Sequence, residues 1–158
     1  MIRHKQLITL DLIEKESGKS IGKIEDVVYS KDGKKIEYII VKNNNLFRNK
    51  LLIPYDKIRF LDRYQVLFLG DIDSYLNQVN IDIKNHLKLI DKVIKLENGE
   101  YLGYVKDIVI NKKDGSIDGF IITEGLFEDL IKGRNYIPLL NNMRIAEEGL
   151  YLPDGFEM

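Results

Sequence analysis

The sequence predicts an all-β chain of two tandem small barrels, related by internal duplication and carrying short helical additions. Three observations lead there. One motif occurs twice, as Gly18-Lys-Ser-Ile21-Gly22-Lys-Ile24-Glu-Asp26-Val27-Val28 and as Gly99-Glu-Tyr-Leu102-Gly103-Tyr-Val105-Lys-Asp107-Ile108-Val109, at an offset of 81. Each copy then runs into an Asp-Gly dipeptide between β-branched segments, which is a hairpin signature because both residues tolerate positive φ. Gly22 and Gly103 fall inside strand patterns, where glycine marks a bulge or a sharp corner. Corner glycines and many short strands suit a small barrel, whose closure removes exposed sheet edges.

The first copy is expected over residues 1–70. Its motif strand leads to the Asp32-Gly33 turn and then to Ile36-Glu-Tyr38-Ile39-Ile40-Val41, a β-branched and aromatic run. Leu51-Leu52-Ile53 is a short strand stopped by Pro54, which cannot donate to a ladder. Tyr64 to Phe68 supplies the closing strand. A connector over residues 71–86 follows, with Asp73 to Val79 as a short helix behind a polar cap. Ile81, Ile83, Leu87, Leu89 and Ile90 keep this region apolar, so the two barrels are expected to pack on each other.

The second copy is expected over residues 87–158 and repeats the same landmarks. They are the Asp114-Gly115 turn, the strand from Ile117 to Thr123, Tyr136-Ile137 before Pro138, and a closing strand at Leu150-Tyr151-Leu152. Leu126 to Gly133 reads as one to two turns of amphipathic helix, with apolar residues at i, i+1, i+4 and i+5.

The doubled order of glycine–glycine–aspartate motif, Asp-Gly turn, Ile-Ile strand and Ile-Pro step resembles the PRC-barrel family. That family includes the cytoplasmic barrel of the photosynthetic reaction-centre H subunit and the C-terminal domain of the ribosome-maturation factor RimM. The resemblance implies a barrel of about six strands per copy, used for protein contacts, with no shared catalytic residues.

Composition narrows the function classes. The chain has 158 residues, with 24 Lys plus Arg against 25 Asp plus Glu, a net charge of −1. That balance is not the footprint of a strongly basic nucleic-acid binder. Cysteine is absent, which excludes disulfides, thiol catalysis and thiolate-bound zinc. No apolar run approaches the ~20 residues of a membrane helix. The opening Met1-Ile2-Arg3-His4-Lys5-Gln6 leads into no apolar signal segment, so a cytoplasmic location without membrane insertion is expected.

Few residues offer chemistry. Asp26 and Asp107 follow their corner glycines by four residues in each copy, and are read as structural carboxylates accepting backbone N–H bonds. Lying in separate barrels, they need not meet. His4 is assigned to an extended N-terminal segment and His86 to a solvated polar stretch, neither with a companion histidine at metal-ligand spacing. No catalytic residue, metal or cofactor is assigned. The repeat landmarks Gly22, Asp26, Pro54, Gly103, Asp107 and Pro138 are read as framework.

The segment from Lys42 to Lys50 is the candidate interaction loop. Lys42, Arg48 and Lys50 surround Phe47, a combination able to meet phosphate and stack on a base. The competing reading makes Leu46-Phe47 an apolar plug, because Leu126-Phe127 recurs beside Glu128-Asp129 in the other copy. Residues 1–79 carry a net +3 and residues 80–158 a net −4, enough to orient the copies or favour self-association. The leading expectation is a non-enzymatic adaptor that binds another protein. An RNA- or ribosome-associated role is the alternative, and a small-molecule cavity between the barrels has no motif behind it.

Overall fold

A computed structural model describes residues 1–43, 50–76, 86–123 and 135–156. The elements are strands β1 (Ile2–Arg3), β2 (Asp11–Glu14), β3 (Ser20–Tyr29), β4 (Ile36–Asn43), β5 (Lys50–Pro54), β6 (Ile58–Phe60), β7 (Gln65–Phe68), β8 (Val93–Leu96), β9 (Tyr101–Ile110), β10 (Ile117–Thr123), β11 (Tyr136–Pro138), β12 (Arg144–Ile145) and β13 (Gly149–Leu152). Two one-turn helices, α1 (His4–Leu7) and α2 (Asp73–Leu76), and a 3-10 turn at Tyr55–Lys57 complete the described residues. The fold is mostly β, with two curled half-barrel sheets in tandem.

The two sheets repeat one topology. The first runs β5-β4-β3-β2-β7-β6 and the second β11-β10-β9-β8-β13-β12. Each copy's first sheet strand lies parallel to a late one, β2 to β7 and β8 to β13, and every other pair is antiparallel. The corner sits where the motif glycine falls. Leu12 pairs with Gly22 but Ile13 with Ser20, so Ile21 is the extra residue of a bulge. Ile94 with Gly103 and Lys95 with Tyr101 repeat it, leaving Leu102 over. Gly22 and Gly103 hold φ of +158° and +151°. A Cβ on Gly22 would overlap the carbonyl oxygen of Lys42 on the adjacent strand, so close backbone approach demands glycine there.

A second bulge precedes each motif aspartate. Ile24 faces Val41 while Asp26 faces Ile40, leaving Glu25 unpaired, and Lys106 is skipped in the same way in the second copy. The bulge frees the next N–H to turn toward the aspartate, and Val27 and Ile108 donate to the carboxylates of Asp26 and Asp107 at 2.8 and 2.9 Å. The Asp-Gly turns carry Gly33 and Gly115 at φ of +71° and +76°. Ser30 donates to Asp32 and Ser116 to Asp114, which, with backbone N–H bonds, draw both carboxyls below their usual range.

The copies meet about a pseudo-twofold axis at those turns. Ile36 N–H donates to Gly115 O and Ile117 N–H to Lys34 O, both at 2.8 Å, on either side of a Lys35·Ser116 bridge. Counted back from the equivalent isoleucines, donors and acceptors occupy matching positions. Around this bridge the Gly33 turn packs on Ile145, and the Lys112 ammonium lies 5.2 Å from the Phe60 ring centre, at the position equivalent to Ile145. The Tyr55 hydroxyl donates to Lys112 O at 2.9 Å. One cluster of buried apolar residues runs through both copies.

Beyond the turns the N-terminus crosses over. β1 pairs with β9, Ile2 opposite Ile110 and Arg3 opposite Val109. Residues expected within the first barrel thus extend the second sheet. α2 starts at Asp73 as the connector reading requires, and Tyr75 packs edge-on against Phe68 at 5.5 Å. Its predicted continuation to Val79, Ile81, Ile83 and the helix over 126–133 lie outside the described residues.

Gly22→Ala is expected to cost about 2–4 kcal/mol, since the adjacent backbone must move to admit a methyl group. Chemical denaturation of the full chain checks this. A loss below about 0.5 kcal/mol would refute the close approach of β3 and β4 at this corner.

Candidate functional site

The helix α1 places the first of two histidines. Arg3 N–H donates to the Gln6 side chain at 3.0 Å, which satisfies one open donor at the helix start. His4 and Leu7 face inward and are buried. His4 therefore begins a helix at the interface between copies, a correction to its assignment to an extended segment. The two-residue strand ahead of it is too short to register as a periodic pattern.

His86 arrives from the other copy. It stands 82 residues beyond His4, and Leu89 stands 82 beyond Leu7, the same spacing that separates Leu12 from Ile94. The two histidines are repeat equivalents. The His86 side chain is largely buried, which corrects its reading as a solvated residue; neighbouring polar residues in sequence do not report what the other copy lays over it.

Both imidazoles converge on one carboxylate. His4 Nε2 lies 3.7 Å from Asp26 Oδ1, and His86 Nε2 lies 3.5 Å from Asp26 Oδ2. His4 Nδ1 is 2.6 Å from the Tyr29 hydroxyl, and the rings stack at 5.9 Å. With hydrogen on Nε2, His4 turns an N–H toward Asp26 and accepts from Tyr29 through Nδ1. Burial is the largest influence on His4 and lowers its pKa; Asp26 and Asp107 pull it back up and Lys5 adds to the lowering. Burial raises the Tyr29 phenol well above its usual range, reinforced by the same two carboxylates.

Asp107 also lies against α1. Only 3% exposed, it accepts from Lys5 N–H at 3.1 Å and from Ile108 N–H at 2.9 Å. The two motif aspartates are therefore gathered around one helix, although they sit in separate copies. The cause is the crossing of the N-terminal segment, which brings α1 onto β9. Their roles differ: Asp107 is sealed by backbone N–H groups, while Asp26 is part-exposed and faces two histidines. A cavity of about 340 Å³ opens beside Asp26, and Tyr29, Leu89, Ile8, Leu87 and Ile90 are among the residues that line it. Among the described residues no group of three or more His, Asp or Glu is arranged to hold a metal ion. None of them forms a helix long and apolar enough to cross a membrane.

The candidate loop is described only at its ends. Lys42 and Lys50 face each other across β4 and β5, and Lys50 lies 3.4 Å from Glu25 with both side chains about half exposed. Phe47 and Arg48, and with them the plug reading of Leu46-Phe47, fall outside the described residues. Pro54 and Pro138 end β5 and β11 and pair with Tyr38 and Gly119.

The sequence reading missed a second surface, on the outer face of the second sheet. Arg144, Tyr151, Lys95 and Tyr101 are successive cross-strand partners over β12, β13, β8 and β9. The Arg144 guanidinium lies 3.9 Å from the Tyr151 ring centre and is held by Glu97 at 3.2 Å and Glu148 at 3.8 Å. Tyr101 is 57% exposed, and Tyr104, one row along, 39%. Tyr136 is exposed too; burial and its bond to Asp118 raise its pKa to about 12. In the first copy the equivalent row is Arg59, Leu67, Ile13 and Ser20, in which Leu67 and Ile13 are buried.

The family model for the PRC-barrel domain matches the chain twice, over residues 1–73 and over residues 87–156. Comparison with curated proteins finds no match.

Asp107→Ala is expected to destabilise the protein by about 2–4 kcal/mol, because two buried N–H donors lose their acceptor. Asp26→Ala should cost roughly 1 kcal/mol or less, since water reaches its site. Denaturant titrations of the two variants give the comparison, and equal losses would contradict the different roles of these repeat equivalents.

Proposed function

Because the chain belongs to the PRC-barrel domain family in both its halves, we propose that it is a non-enzymatic adaptor of the cytoplasm, which holds a protein partner on the outer face of its second sheet. The family is a small binding fold rather than a typically catalytic one. One observation carries the choice of surface. At the centre of the cross-strand row the first copy places the buried apolar Leu67 and Ile13, where the second places the part-exposed, amphipathic Tyr151 and Lys95. The six-strand topology is the same in both, so it does not itself require tyrosines there.

Side chains of this type suit protein recognition. Tyrosine offers a large contact area with few rotatable bonds and a hydroxyl at its tip, and tyrosine and arginine dominate interface energetics. Arg144 is already ordered against Tyr151 and two glutamates, so less freedom is lost when a partner docks. Lys95, between the two tyrosines, supplies a charge that sets register.

The test is capture from the native host with the full chain as bait, with and without nuclease, beside Tyr101→Ser and Lys95→Glu baits. Capture should survive nuclease and fall by roughly tenfold in the variants, whose stability stays within about 0.5 kcal/mol of the parent. Recovery of ribosomal material that nuclease abolishes would instead establish the RNA- or ribosome-associated reading. Undiminished capture by both variants would place the contact elsewhere.

A further inference from the structure

The repeat gives each motif aspartate a counterpart, and the two are completed differently. Asp107 accepts from Ile108 N–H at 2.9 Å and from Lys5 N–H at 3.1 Å. The first donor comes from its own bulge, the second from the N-terminal segment. Asp26 has the equivalent of the first, Val27 N–H at 2.8 Å. The equivalent of Lys5, at the offset of 82, is Leu87. Leu87 N–H makes no bond to Asp26 among the described residues. The imidazoles of His4 and His86 stand 3.7 and 3.5 Å from the carboxylate, longer than an ordinary N–H···O bond. Asp26 and Leu87 both line the cavity of about 340 Å³.

We infer that this cavity binds a small apolar amine, whose ammonium group supplies Asp26 with the donor that Leu87 does not.

The lining suits both ends of such a molecule. Ile8, Leu87, Leu89 and Ile90 offer apolar surface to a hydrocarbon body, which is driven in by leaving water. The Tyr29 hydroxyl and His4 Nδ1 are joined to each other at 2.6 Å. Asp26 is left as the acceptor with capacity to spare, since an ionised carboxylate accepts up to about four hydrogen bonds. A bond from an ammonium group is about twice as strong as one from a neutral donor, which selects an amine over an alcohol. Of the other ionised side chains on the lining, Glu25 and Asp91 balance Lys5 and Lys88, so the net charge is that of Asp26 and selects against an acid.

Place and backbone agree with this. The cavity lies between the two copies, and interfaces between domains are preferred positions for small-molecule sites. Asp91 on its lining holds φ of +68°, the one non-glycine residue with positive φ among those described. Such conformations gather where ligands are held.

Methyl-resolved NMR of the full chain, titrated with benzylamine, phenethylamine and isopentylamine, tests the assignment. Phenethyl alcohol and phenylacetate present the aromatic body with a neutral and an anionic head. At least one amine should shift the methyl signals of Ile8, Leu87, Leu89 and Ile90 saturably, below about 10 mM. The alcohol and the acid should bind roughly tenfold more weakly or not at all. Asp26→Asn, which keeps an oxygen for Val27 N–H, should weaken the amine roughly tenfold and erase its advantage over the alcohol. The comparison among heads needs no variant, so it stands whatever Asp26→Asn does to folding. The inference is overturned if none of the amines shifts these methyls, or if the alcohol or the acid binds as tightly. Undiminished amine binding by folded Asp26→Asn would overturn it equally.

Discussion

Two backbone hydrogen bonds, Ile36 N–H to Gly115 O and Ile117 N–H to Lys34 O, tie the two halves together through their turns. They close the sequence's two Asp-Gly turns onto each other, so each turn ends its own hairpin and braces the other copy's. Around that bridge, Gly33 leaves room for Ile145 and Gly115 leaves room for Tyr55. A side chain at either glycine would push the halves apart. The apolar cluster then needs no boundary between copies, and it has none. A copy of about 70 residues buries little surface alone, and sharing one core is a way past that limit.

A duplicated chain contains its own comparison. What both copies keep is what the shared topology demands: the corner glycine beside a neighbouring carbonyl, and the aspartate whose carboxylate takes the N–H freed by a bulge. Where the copies part company, the topology is indifferent and something else has acted. Asp26 and Asp107 show this within one position, since the first faces histidines and part-solvent and the second is sealed. The row from Arg144 to Tyr101 shows it for a whole surface, set against Arg59, Leu67, Ile13 and Ser20.

The repeat, the hairpin turns and the strand runs were legible because each has a local cause: a dipeptide, a proline or a β-branched run. The contacts between copies were not, because their causes lie far apart in the chain. β1 has two residues and no periodicity, and its partner is β9, more than a hundred residues on. The equivalence of His4 and His86 was hidden by a one-residue slip, an offset of 82 ahead of the motif and 81 within it. Aligning Leu12 with Ile94, as the pairing to Gly22 and Gly103 requires, would have exposed it. The tyrosine row also escaped notice, because its members come from four strands and only register brings them side by side.

The parallel pairs β2–β7 and β8–β13 carry a consequence for synthesis. Each copy's opening strand finds its parallel neighbour only after most of that copy has been made. The N-terminal residues wait longest, because Ile2 and Arg3 have no ladder until Val109 and Ile110 leave the ribosome. At roughly 5–20 residues per second, the apolar face of α1, with Leu7, stays uncovered for several seconds or more. Such distant pairings also slow folding. The nascent first copy therefore keeps apolar surface open until the second copy is made, and a chain halted midway would be an unfinished fragment rather than a closed domain.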